Sequence, residues 1–183
     1  RMAECSIDGS YAPAKQRGAC VGRCRAGSAT KIMALSDAEG MPLSVTIADG
    51  SRHDVRLVDQ TLDEALTRYL PPVVIGDRAF DSRPLAACLF AERGMVLIAP
   101  KRRGRGSCRR KEDHRRMRRY RRRWLVERFF AWLKQFRRVA TRWERSAENF
   151  LGFIHLACSI ILLRELLRQR NESRKCPAAF PAR

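Results

Sequence analysis

Two short, uninterrupted apolar runs, "VVIGD" at 73–77 and "MVLIAP" at 95–100, constrain the fold of this chain more than any other feature. Runs of that length, closed by an acid or a proline, read as strands buried on both faces. Between them "SRPLAACLFAERG" reads as a helix, with Ser82 as its N-cap and Gly94 as its stop. A sheet covered on both sides therefore lies at the centre, and the remaining segments must supply its other strands and its cover.

Upstream, "ECSIDGSY" reads as a strand with Asp8 at its end, and residues 14–29, rich in Gly, Lys and Arg, read as a loop. "TKIMALSD" and "PLSVTIAD" flank "AEGM" in a hairpin pattern with Gly40 in the turn. Residues 56–70 carry apolar side chains at helical spacing and end at Pro71 and Pro72, which predicts one amphipathic helix. A strongly apolar helix is expected over 149–168. Strands first and helices later, with βαβ order in the middle, give an α/β class: a central mixed sheet flanked by helices, with further helices at the C-terminus. Residues 1–168 form one domain in this reading, with the basic segment 101–123 inside it and 169–183 a disordered tail.

The charge is not that of an ordinary globular domain. Thirty-eight Lys and Arg oppose nineteen Asp and Glu, for a net charge of +19. Such a field selects polyanionic partners, nucleic acid first among them. The seven cysteines are odd in number and lack paired zinc-ligand spacing, which points to reduced thiols and a cytoplasmic location. "RMAECSIDGSYAP" has no apolar signal-peptide core, and "FLGFIHLACSIILL" reads as a core helix too short to span a bilayer. The start at Arg1, close to the first strand, reads as the later part of a longer protein.

Within the most arginine-rich stretch stands one acid. On a helical wheel with Tyr120 at zero, Arg123 falls near −60°, Glu127 near −20° and Lys134 near −40°, all approximate. Leu125, Phe129, Trp132, Leu133 and Phe136 fall on the other side and face the domain. Glu127 thus sits on a narrow cationic stripe. A simple i, i+4 pair with Arg123 is one account of it.

The spacing Y-x-x-R-x-x-x-E-x-x-x-x-x-x-K, here Tyr120, Arg123, Glu127 and Lys134, resembles the motif of the DDE transposases of bacterial insertion sequences. The likeness is to the family numbered five, with family four related to it. "DGSYAPAK", "TKIMALSDAEGMPLSVTIADGSRHD" and "VIGDRAFDS" agree, and the resemblance runs from about Cys5 to Arg164. It implies a ribonuclease-H-like fold, and a catalytic and metal-binding triad of Asp8, Asp77 and Glu127 that holds Mg²⁺, with Mn²⁺ as substitute. It also implies phosphate contacts from Arg123 and Lys134, with the neighbouring Arg121 and Arg122, and a hydrogen bond from Tyr120 near the cleaved strand. Trp124, beside the stripe, either stacks on a displaced base or packs.

Double-stranded DNA at terminal inverted repeats and at a target is the implied partner, with a homodimer on paired ends and an N-terminal recognition region. Asp37 and Asp49 read as turn residues and Asp81 as a cap or turn residue; Asp54 reads as structural or catalytic. The rival readings are a non-catalytic basic DNA-binding protein, another nuclease or strand transferase on the same fold, and a truncated, inactive transposase remnant.

Overall fold

A computed structural model describes residues 3–25, 27–102 and 113–175. Its centre is one six-stranded sheet: β1 (Cys5–Pro13), β2 (Gly22–Cys24), β3 (Gly27–Ser36), β4 (Pro42–Asp49), β5 (Val73–Ile75) and β6 (Val96–Ile98). β3 lies antiparallel between β1 and β4, with the short β2 pairing beyond the end of β4. β1, β5 and β6 run parallel, in that order. The sheet is mixed and helices cover both faces, which is the ribonuclease-H-like architecture expected.

The period-2 rule sorts the side chains of the hairpin to opposite faces. Ala12, Ile32, Ala34, Val45 and Ile47 pack under α4 (Trp124–Leu133), α5 (Arg137–Ala140) and α6 (Ala147–Lys175), against Val126, Phe129, Val139, Phe150 and Ile154. Cys5, Ile7, Met33 and Leu35 pack on the other face against Leu57, Leu62, Phe80, Leu85 and Leu89. Those residues come from α1 (Val58–Asp63), α2 (Arg83–Arg93) and the short turns beside them. α2 is built as its sequence predicts: the Ser82 hydroxyl accepts from the Leu85 N–H, and Gly94 closes the helix at φ +63°. Asp37 and Asp49 are turn residues as expected, each accepting backbone N–H bonds inside its own turn.

Several elements differ from the sequence reading, each for a local reason. Asp8 does not end β1. It is followed by five more strand residues, because the long β3 supplies a partner for every position from Ser6 to Pro13. The expected loop at 14–29 contains β2.

The amphipathic segment 56–70 is helical only from a 3-10 turn at Asp54–Leu57 through Asp63. After it, the Leu66 N–H leaves the helix to bond the Leu43 carbonyl at the start of β4, which leaves Leu66 and Tyr69 exposed. The last helix reaches Lys175, seven residues into the stretch read as a tail, and residues 176–183 lie outside the described residues. Over Ala147–Glu172 it is long and apolar enough to cross a membrane by length and composition, so the expectation of too short a run does not hold. Phe150, Ile154, Ala157, Cys158 and Ile161 nevertheless form a buried stripe of this helix in the core.

Candidate active site

The basic helix is not continuous. α3 (His114–Tyr120) passes through a 3-10 turn at Arg121–Arg123 into α4. The run 103–112 that feeds it lies outside the described residues. α3 docks on the parallel end of the sheet, where Met117 and the Tyr120 ring pack with Val73, Ile75 and Ile98. α4 buries Leu125, Val126, Phe129, Phe130 and Leu133 and leaves Glu127 on its first turn, half-exposed. The faces read from the wheel hold for α4, while the tighter turn gives Tyr120 a packing site of its own.

Asp8 meets this segment from the sheet. β5 pairs with β1 only at Cys5 and Ser6, so beyond Ser6 the β5 side of β1 is open. Asp8 is the second residue past that point. One of its oxygens accepts from the Gly9 N–H at 2.9 Å and the other from Arg123 Nη1 at 2.7 Å. The other terminal nitrogen of Arg123 donates to Glu127 Oε1. A single guanidinium therefore joins the acid of β1 to the acid of α4.

Asp77 follows β5 by two residues and caps the turn Arg78–Phe80 by accepting from the Ala79 N–H at 2.7 Å. It acts on the other groups through its charge. Burial pushes the Asp8 carboxyl up to about 6, and the charges of Asp77 and Asp54 add to that; the Gly9 N–H and Arg123 oppose it. For Arg123, burial disfavours the charged form. The carboxylates of Asp8, Glu127 and Asp77 and the Tyr120 phenol together still hold its pKa above the ordinary arginine value.

Asp54 is drawn into the same electrostatic group. It is ion-paired to the buried Lys31, and a Cβ placed on Gly9 would sit 3.4 Å from its carboxylate oxygen. Asp81 accepts from the Arg102 N–H and is structural. The remaining residues of the stripe are distributed unequally. Arg121 and Lys134 are exposed, Lys134 as the C-cap of α4. Arg122 is engaged by Glu4 at 2.9 Å, with Arg119 of α3 beside it at 3.9 Å, so the two arginines tie the 3-10 turn and α3 to the start of β1.

Trp124 is half-exposed, and the Arg128 guanidinium lies 4.9 Å from its ring and 4.7 Å from that of Trp132. One face of Trp124 is already occupied. Glu4 was missed in the sequence. Its signal was the alternation Glu4, Ser6, Asp8, which sets both acids on the strand face that meets the arginines.

The chain matches the family model for the transposase DDE domain over residues 4–162. The chain belongs to the DDE transposase family. A transposase of insertion sequence element IS402 from Burkholderia cepacia is 33% identical over 156 residues, covering 80% of this chain and 67% of the relative. One of element IS6501 from Brucella ovis is 34% identical over 140 residues, covering 74% and 98%. Among solved structures, the catalytic core domain of BIV integrase aligns over 87% of this transposase chain and 80% of its own, at 13% identity and a TM-score of 0.47.

Among the described residues, no three His, Cys, Asp or Glu side chains stand close enough to form a metal cluster. The donor chemistry at the junction is nevertheless that of a hard-cation site. The offered ligands are carboxylate oxygens, and Asp8 and Glu127 are both already bound to one cation, the Arg123 guanidinium. Asp8 and Glu127 thus match a divalent ion in kind of donor, oxygen for a hard cation.

Proposed function

We propose that this transposase domain cleaves DNA phosphodiester bonds at the ends of an insertion sequence and joins them to a target, using Asp8, Asp77 and Glu127. The observation that carries the reading is the shared bridge from Arg123 to Asp8 and Glu127, with Asp77 close enough to act on both Asp8 and Arg123. Asp8 of β1 and Glu127 of α4 share the Arg123 guanidinium, and Asp77 at the end of β5 acts on Asp8 and Arg123 through its charge, on an otherwise cationic surface. Repulsion among them costs stability unless a cation stands between them.

Asp8, Asp77 and Glu127 would hold Mg²⁺ or Mn²⁺, which when bound supplies Lewis-acid activation of the attacking oxygen and stabilisation of the leaving one. The chain's own groups do the rest. Arg121, Arg123 and Lys134 bind backbone phosphates, and the fork of Arg123 orients one of them beside Asp8. Tyr120, fixed by its packing on β5 and β6, sets the position of α3 relative to the substrate. The Trp124–Arg128–Trp132 ladder offers an aromatic and cationic wall beside the scissile strand. Double-stranded DNA in the bacterial cytoplasm is the substrate, and two copies act on paired ends.

The structural reading of Glu127, a plain i, i+4 partner of Arg123, has the ion pair itself in its favour. Glu127→Gln separates the two. The catalytic reading expects loss of Mg²⁺-dependent cleavage of DNA bearing the element's ends, loss of Mn²⁺ binding by electron paramagnetic resonance, and DNA affinity level or higher. The structural reading expects a cost of a few tenths of a kcal/mol and full activity. Normal cleavage by the Gln variant would remove Glu127 from the site.

A further inference from the structure

On the sheet face opposite Asp8 lies a second feature that the acidic junction does not explain. A groove of about 830 Å³ is walled by the tip of β1, by β2 and by the segment that follows β4. Arg23, Arg25, Arg52, Arg56 and Arg102 rim it, against one carboxylate, Asp54, which Lys31 already neutralises. Arg102 is tied to the Arg78 and Ala79 carbonyls. The other four arginines belong to no ion pair among the described residues, whereas Arg119, Arg122 and Arg123 across the sheet are all paired.

The groove also has an aromatic floor. Tyr11 stands directly opposite Lys31 in the β1–β3 register, with the ammonium 5.1 Å from its ring, and the residue remains 41% exposed. A cationic rim and an exposed ring are the two components of a single-strand nucleic-acid site, phosphates on one and a base on the other. Size agrees, since a cleft in the range of roughly 300–1,000 Å³ accepts a small ligand such as a nucleotide or two rather than a duplex.

Position ties the groove to the reaction. Ala79, whose N–H donates to the capping Asp77 carboxylate, lines it, as does Asp54 beside Gly9. Because β1 outruns β5, no strand of the sheet pairs with the β5 side of β1 at Asp8, beyond Ser6.

Resting on the catalytic reading above, we propose that this groove holds the single DNA strand leading away from the scissile phosphate. Arg23, Arg52 and Arg56 take its phosphates and Tyr11 takes one base.

Anisotropy of a fluorescein-labelled oligothymidine of about eight nucleotides, a length such grooves cover, tests this with the chain itself. Removing two phosphate contacts in Arg23→Ala/Arg52→Ala lowers the salt slope for single-stranded DNA by about 1.4, at roughly 0.7 per contact. The same charge removed from α6, in Arg164→Ala/Arg170→Ala, leaves the slope unchanged. Tyr11→Ser weakens binding by about five-fold to more than a hundred-fold, the worth of one stacked base, and Tyr11→Phe retains it. Equal slopes for the groove and α6 variants overturn the proposal, as does displacement of the oligothymidine by an equimolar duplex. Unchanged affinity in Tyr11→Ser does the same. Each arginine variant is exposed and is checked by its melting curve, so the slope comparison stands whether or not Tyr11→Ser folds. A groove that fails while Glu127→Gln still abolishes cleavage leaves the catalytic reading standing.

Discussion

Replacing Asp8 by Asn in metal-free buffer should change how stability depends on pH, and the size of the effect follows from the site. The Asp8 carboxylate is 17% exposed, and burial pushes its pKa from an ordinary 3.8 up to about 6. Between about pH 4 and pH 6 the folded chain keeps a proton on Asp8 that the unfolded chain has released. That contribution is fully present below the lower value and is lost as pH rises through the upper one. At ~1.4 kcal/mol per pH unit the loss is about 3 kcal/mol.

Asn never ionises, so the variant escapes this loss. It does give up one of the two acceptor oxygens that serve Gly9 and Arg123, at a cost of about 1 kcal/mol. The variant should therefore be about 1 kcal/mol less stable than wild type at pH 4 and about 2 kcal/mol more stable at pH 7. Urea denaturation of both proteins across that range, in EDTA, gives the difference directly, and titrating groups remote from Asp8 cancel. A difference that stays flat with pH would refute the reasoning, because it would mean that Asp8 is not desolvated as the fold places it.

Arg142 is fully buried and donates to the Glu144 and Arg145 carbonyls and to Thr30 Oγ1, so Arg142→Ala should cost about 3–5 kcal/mol in urea denaturation. Phe129→Ala, at a fully buried ring between the sheet and α6, should cost a similar 3–5 kcal/mol by cavity formation, measured in the same way. Gly94→Ala meets no neighbouring atom, so only its φ of +63° resists, and thermal melting should register about 1 kcal/mol. Duplex DNA binding should weaken by orders of magnitude between roughly 50 and 200 mM salt, and a flat titration would exclude phosphate contacts as its source.

What the sequence revealed follows the range of the interactions involved. The β5–α2–β6 unit and the β3–β4 hairpin are set by residues within a few positions of one another, a cap at Ser82, turns at Gly40 and Gly94, and they were legible. The length of β1 was not, because Asp8-Gly9-Ser10 looks like a turn until β3, twenty residues on, offers it a continuous partner. Residues 64–70 kept a helical pattern, yet one backbone bond from Leu66 to Leu43 drew them out of the helix. The candidate acids were singled out by the spacing of Tyr120, Arg123, Glu127 and Lys134 and the family likeness it carries. That a single guanidinium would join two of them depended on where β1 ends its pairing with β5, which no local pattern encodes.

The 3-10 turn at Arg121–Arg123 gives that spacing a mechanical meaning. Three residues of 3-10 helix sweep about 360° where three of α-helix sweep about 300°. The turn therefore works as a fixed gear between two helices that dock on different parts of the sheet. The seating of α3 on β5 and β6 sets the azimuth at which α4 presents Glu127. Adding or deleting one residue there would leave charge and composition almost untouched and swing the acid about a quarter to a third of a turn away from Asp8. In this domain the count of residues between Tyr120 and Glu127 is as much a part of the site as the residues themselves.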